Sequence, residues 1–292
     1  MIFLTFLYEI KVIDGTKNEP VDSAISYIFK ISQNNVELID SYKVKNGILK
    51  FEIKDTSIKA IGIQTDYKGF SFYSPVINLP VKNESLFVYQ VSNEGNVQFK
   101  EYGAFIVNQD SVIMVAEDII LSVNSNNALI PKEPIKLVLP KGFENFRYNG
   151  LPHDSVQIVG ESLLIKPFII PKNNNLISFV YMVKKKLSLE RNFGNINYTV
   201  AIRKDLKHNV KNLSKGDIQK MGNIDIQLYR GSKPFSVQAS VIPSFDLTNL
   251  INKNRFAIAG IVIVIIVIII LILQSRSKNE TRSKESNEEN QQ

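Results

Sequence analysis

The stretch YEIKVIDGTKNEPVDSAISYIFKI, residues 8–31, decides the fold class. YEIKVI (8–13) and AISYIFKI (24–31) each place apolar side chains at every second position, the two-residue period of a strand with one face in a core. Between them Asp14-Gly15 and Pro20 supply turn chemistry and interrupt any helical pattern. Working outward, ILKFEI (48–53) and AIGIQTDY (60–67) repeat the alternation. Asn34-Asn35 and Asn46-Gly47 separate the apolar runs, and Asn-Gly favours the positive φ values of a tight hairpin. Short strands at regular spacing, without a 3.6-residue period, predict a β-sandwich of about seven strands for residues 8–84.

A second block, 85–243, carries longer strand candidates: 97–107, 111–123, 135–140, 155–160, 162–170, 176–183, 196–202, 223–229 and 235–242. Pro131, Pro134, Pro140, Pro152 and Pro171 fall mostly at their ends, where a missing N–H costs little. Pro167 falls inside one and predicts an edge strand or bulge. The expected fold is therefore all-β, two antiparallel β-sandwich domains of immunoglobulin or transthyretin-like type.

A C-terminal transmembrane helix completes the expectation. FAIAGIVIVIIVIIILIL, Phe256–Leu273, has no charged or strongly polar side chain. At 1.5 Å per residue it reaches about 27 Å, close to the ~30 Å hydrocarbon core of a bilayer. Arg276, Lys278, Arg282 and Lys284 follow it and only Lys253 and Arg255 precede it closely, so the tail (274–292) is read as cytoplasmic and disordered. The β-domains then face the extracytoplasmic, periplasmic side of a cell membrane. Residues 1–7, MIFLTFL, are read as the remnant of a signal peptide or as the start of the first strand. Residues 244–255 form a juxtamembrane linker in which Phe245, Leu247, Leu250 and Ile251 could make one amphipathic turn at the lipid surface.

The chain has no cysteine, which excludes disulfides, thiolate metal sites and cysteine nucleophiles. Its formal charge of +7 belongs to the part before the span, since the tail's four basic residues are balanced by Glu280, Glu285, Glu288 and Glu289. Lys184-Lys185-Lys186 and the group Arg203, Lys204, Lys207, His208, Lys211 and Lys215 are the densest basic stretches. They read as solvated edges or as a face towards anionic lipid or an envelope partner. Nucleic acid is not expected, because no helix-turn-helix, zinc or RNP-like pattern accompanies the charge.

Two stretches resemble a known family. EIKVIDGTKNEPVDSAISYIFKI followed by KVKNGILKFEI is similar to the start of carboxypeptidase regulatory-like (transthyretin-like) domains, with Gly15, Pro20, Ala24, Gly47 and Phe51 at the recurring turn and strand positions. IKLVLPKGFENFRYNG with SLLIKPFIIPKNNNLISFVYMV looks like the domain that follows in membrane-anchored bacterial envelope proteins of this type. The resemblance implies an accessory or interaction module and no peptidase activity.

Chemistry is sparse. The two histidines stand apart: His153 with Asp154 in a turn, His208 in a basic stretch that disfavours a cation. Asp110, Glu117-Asp118, Glu144 and Asp154 form no D-x-D-x-D run for calcium. G-x-S-x-G, a P-loop and G-x-G-x-x-G are all missing. No catalytic residue, metal or cofactor is expected, and the chain reads as a non-enzymatic module that binds or scaffolds envelope components. Tyr67, Phe70, Phe72 and Tyr73 crowd DYKGFSFYSP and could line a face for a glycan, though alternate members of FSFY would equally fill a core.

Overall fold

The computed structural model describes residues 6–32, 35–81, 84–109 and 111–241. The expected span Phe256–Leu273, the linker, the tail and Met1–Thr5 lie outside them. Among the described residues the secondary structure is almost wholly strand, with one three-residue 3-10 turn at His153–Ser155, and no helix is long and apolar enough to cross a membrane.

Two compact units interleave along the chain. The first comprises residues 1–100, 119–139 and 150–177, and the second 101–118, 140–149 and 178–292.

In the first unit, strands Phe6–Asp14, Ser23–Ile31, Val36–Lys45, Ile48–Ile53, Ala60–Tyr67 and Phe70–Tyr73 belong to one sheet whose ladder opens in the middle. Val36–Lys45 meets Ile48–Ile53 only at the hairpin pair Lys45↔Ile48. The sheet thereby separates into two layers. In one, Phe6–Asp14 lies between Ile48–Ile53, antiparallel, and Ser85–Val88, parallel. The other runs in the order Val36–Lys45, Ser23–Ile31, Ala60–Tyr67, Phe70–Tyr73. Alternation turns Ile10, Val12, Leu49, Phe51 and Val88 of the first layer, and Ile28, Val44, Ile61, Ile63 and Phe72 of the second, into one buried cluster. Gly47 makes this possible at the 46–47 turn: its φ of +72° suits glycine, and a Cβ there would strike Pro20. Gly15 is equally confined, since a Cβ would overlap the Tyr89 ring.

Asp14 closes the start of this unit. It is 3% exposed and accepts hydrogen bonds from the Tyr67 hydroxyl (2.8 Å), the Gln90 amide (3.5 Å) and the backbone N–H groups of Thr16 (2.9 Å) and Lys17 (3.4 Å). Burial alone would raise its pKa, but these donors outweigh burial and hold the carboxyl below its ordinary 3.8. Tyr67 moves the other way, up to about 12, through burial and then the Asp14 carboxylate.

The second unit stacks two sheets. The larger has the strand order Phe143–Asn149, Asn175–Lys184, Val112–Val123, Val97–Gln109, Asn197–Arg203, Ile224–Gly231, Ser214–Met221. The smaller is Lys186–Arg191, Phe235–Val241, Leu206–Lys211. Rings from both meet between them, with Phe235 5.5 Å from Tyr102 and 5.3 Å from Tyr198. The opposite face of the large sheet carries a second apolar cluster, Phe105, Val107, Met114, Ala116, Ala201, Ile226 and Leu228. That explains the unbroken apolar reading of 112–116, because a strand buried on both faces loses its alternation.

The all-β expectation stands, yet the sheets are not wholly antiparallel. Glu101–Ile106 runs parallel to Asn197–Ile202, and Lys11–Asp14 parallel to Ser85–Val88. Segments distant in sequence can meet in either direction, whereas adjacent hairpins cannot. Strand Ser162–Ile165 stops before Pro167, so no bulge is needed there.

Asp14→Asn should lower the stability of the first unit by about 1–3 kcal/mol. Because the folded-state pKa is depressed, the wild-type advantage is present above about pH 5 and fades as pH falls below 4. Tyr67 works at the other end: its contribution is full below pH 10 and lost as pH rises towards about 12. Urea melts of the two proteins across pH check both limbs; parallel curves at every pH would refute the assignment.

Candidate functional site

The strongest polar constellation lies between the two sheets of the second unit. Glu117 comes from the central strand Val112–Val123, Tyr102 from Val97–Gln109, Tyr181 from Asn175–Lys184, and Arg191 from the small sheet's edge strand. Arg191 Nε donates to Glu117 Oε2 (2.6 Å) and Nη2 to Oε1 (2.5 Å), a two-pronged ion pair. The Tyr102 hydroxyl donates to Oε2 (2.5 Å) and that of Tyr181 to Oε1 (2.7 Å). Glu117 is 0% and Arg191 4% exposed. Burial alone would favour a neutral Arg191, but the facing carboxylate overcomes it and raises the guanidinium above its ordinary value. Burial, with the charge of Glu117 behind it, drives both tyrosines well above 10. Arg191 therefore stays charged and the two tyrosines neutral at neutral pH, and each carboxylate oxygen of Glu117 accepts one guanidinium and one hydroxyl hydrogen bond away from the surface. The chemistry of this arrangement is structural.

The other carboxylates disperse. Asp118 points to the opposite face and accepts from the Ser178 hydroxyl (2.5 Å). Glu144 pairs with Lys184 (2.5 Å). Asp154 sits in the 3-10 turn, and Asp110 lies outside the described residues. No group of three or more candidate metal ligands occurs among the described residues. His208 is held by the Leu206 carbonyl at Nδ1 (2.7 Å) and the Tyr229 hydroxyl at Nε2 (2.9 Å).

The four aromatics from DYKGFSFYSP do not share an exposed face. Phe72 is 1% exposed, between Phe168 (5.5 Å) and Tyr89 (6.2 Å). Tyr67 is buried against Asp14, and Phe70 is half-buried and stacked on Phe168 at 6.0 Å. Tyr73 alone is open, at 68%. The alternation of the strand decides this, sending Phe72 inward and Tyr73 outward.

The basic residues do converge. Lys184, Lys185 and Lys186 form the connection from the large sheet to the small one, and Arg203, Lys204 and Asp205 the next such connection. Lys186 and Lys207 flank Ser240 on either side, while Leu206 pairs with Val241 and the Val241 N–H donates to Lys185 O (3.2 Å). Both basic turns therefore sit around the last described residue. Arg203 pairs with Asp205 (2.8 Å) and donates to the Asn108 carbonyl (3.3 Å). Beside them a shallow cleft of about 360 Å³ is lined by Arg203, Lys204, Asp205, Asn223, Ile224 and Asp225. Lys185, Lys186 and Lys207 remain exposed on its flank.

No protein-family model matches this chain, and no curated protein does. Among solved structures it is similar to the M1 zinc metallopeptidase from Deinococcus radiodurans, at 7% identity and a TM-score of 0.31, covering 50% of this chain and 43% of that one. A mutant of that enzyme bound to a Tyr-ser-ala substrate gives 8% and 0.33, covering 53% and 45%. A two-domain M1 zinc metallopeptidase mutant bound to L-tryptophan gives 9% and 0.32, covering 53% and 46%. The chain spans less than half the length of each, and likeness at this level carries no statement about activity.

Phe72→Ala should cost about 3–5 kcal/mol. Tyr73→Ala should change stability by no more than about 0.5 kcal/mol. Denaturant melts distinguish this from a shared ligand face, which would make both substitutions nearly neutral for folding.

Proposed function

We propose that this is a non-enzymatic, single-pass membrane protein whose extracytoplasmic β-domains bind or scaffold other components of the cell envelope. The first domain is read as a carboxypeptidase regulatory-like sandwich and the tail after Phe256–Leu273 as cytoplasmic. One observation carries the reading. The two basic turns, 184–186 and 203–207, surround Val241, the point from which the chain continues through 242–255 to the apolar run. A cluster of Lys and Arg beside the start of an anchor is placed to meet anionic headgroups or an acidic envelope partner.

Anchoring also raises the encounter rate with membrane-bound partners by confining the search to two dimensions, so weak contacts between domains suffice. The rigid sandwiches supply edges and loops for those contacts.

Protease added to intact cells or spheroplasts should digest the region before Phe256 without lysis. Complete protection until the membrane is broken would place the β-domains in the cytoplasm and overturn the proposal.

A further inference from the structure

Strand Ser23–Ile31 carries apolar residues on both faces, and its outward face is the more apolar of the two. Ala24, Ser26 and Ile28 turn into the core, where the Ser26 hydroxyl pairs with that of Thr65 (2.7 Å). Ile25, Tyr27, Phe29 and Ile31 turn the other way. Val36 and Leu38 extend this strip onto the neighbouring strand, directly opposite Ile31 and Phe29. None of the six belongs to the core cluster of the first unit or packs on it. Ile25 (43% exposed), Leu38 (53%) and Val36 (65%) stand open to water. The solvated face of an antiparallel sheet is ordinarily polar, and a contiguous apolar strip there marks a face that another surface covers.

The polar residues of the same face point to the occupant. The ladder sets Lys43, Ile25 and Asp66 in one cross-strand row and Ser41, Tyr27 and Gln64 in the next. In each row the Val36–Lys45 residue lies on one flank of the strip and the Ala60–Tyr67 residue on the other. The bulge between Ile28 and Phe29 lies outside both rows, so all of these side chains share the outward direction of Ile25 and Tyr27. Asp66 Oδ1 accepts from the Ser71 hydroxyl (2.6 Å) and the Gln64 amide (3.0 Å). Among the described residues neither Lys43 nor Asp66 takes part in an ion pair.

Consider a second copy stacked face to face, about 10 Å away, with the two-fold axis along Ser23–Ile31. Each copy's Val36–Lys45 then lies over the other's Ala60–Tyr67. Lys43 of each faces Asp66 of the other, Ser41 faces Gln64, and the two apolar strips close on one another. The roughly 30° between packed sheets displaces residues one strand from the axis by only about 2–3 Å, within the reach of a lysine. An axis across the strands would instead stack Val36–Lys45 on its own copy, and Lys43 would never meet Asp66. We propose that the outer face of Ser23–Ile31 is a self-association face, at which two copies of the chain stack about an axis parallel to that strand. Every residue of this face lies in the first unit, so the stacking requires no membrane anchor.

Full-length protein in mild detergent should sediment as a monomer–dimer equilibrium. Lys43→Glu or Asp66→Lys alone should raise the dimer dissociation constant about tenfold, because two symmetric pairs turn from attraction to repulsion at once. An equimolar mixture of the two variants should regain wild-type affinity, since the mixed dimer again sets opposite charges at both contacts. A folding defect in either variant would persist in the mixture, which separates charge pairing from misfolding. Ile25→Lys, at a position already open to water, should leave monomer only. A strictly monomeric chain would overturn the proposal, as would a dimer indifferent to Ile25→Lys or a mixture no tighter than its components. A monomer that binds lipid vesicles or glycans through Ile25 would overturn it too, by giving the face to another occupant.

Discussion

The buried pair between Glu117 and Arg191 is the constraint around which the second unit is arranged. Removing two charges from water costs several kcal/mol each, and their attraction offsets this only with good geometry and every lone pair engaged. Here the guanidinium meets the carboxylate edge-on and two tyrosine hydroxyls complete the shell, from four strands and both sheets. The network specifies as much as it stabilises. A one-residue slip of Val112–Val123 would turn Glu117 onto the apolar face with Phe105 and Leu228 and take the carboxylate away from the buried Arg191.

That register has consequences at the surface. Arg191 fixes Lys186–Arg191 against the large sheet, and the small sheet then carries Phe235–Val241 between Lys186 and Lys207. The basic turns are thus held by the core, although none of their Lys or Arg side chains is buried. Positive charge at the point where the chain continues towards its apolar run is a product of sheet packing. The first unit has its own lock in Asp14 and Tyr67, which ties the end of Phe6–Asp14 to the far layer.

Much of this fold was legible. Alternation located the strands that form the cores, from 8–13 and 24–31 to 235–242, within a few residues of their observed ends. Asn46-Gly47 marked its hairpin because glycine at positive φ leaves a local trace. Strands Val36–Lys45, Lys186–Arg191, Leu206–Lys211 and Ser214–Met221 left no such trace. They are edges or outer strands whose apolar alternation is short or interrupted by charge, as where Arg191 follows Leu187 and Leu189 on the inward face, and Ser214–Met221 is exposed at almost every position. The basic stretch after Arg203 reads in sequence as solvated surface, yet it is two ordered strands. Parallel pairings between 101–106 and 197–202 join segments too distant for local pattern to connect. Glu117 was visible only as one of several scattered carboxylates; its partner stands 74 residues away, and nothing near either announces the other. The basic residues around Val241 were legible as types, while their convergence required the topology.

A double-mutant cycle at Glu117 and Arg191, followed by denaturant unfolding, tests the central claim most directly. Glu117→Leu and Arg191→Met alone should each cost about 3–5 kcal/mol, since each leaves the other charge buried without a partner. Together they should cost far less than the sum of the two, with a coupling of about 2–3 kcal/mol. Additive losses would mean that the two charges do not act on each other, and the sandwich would need another explanation for its register.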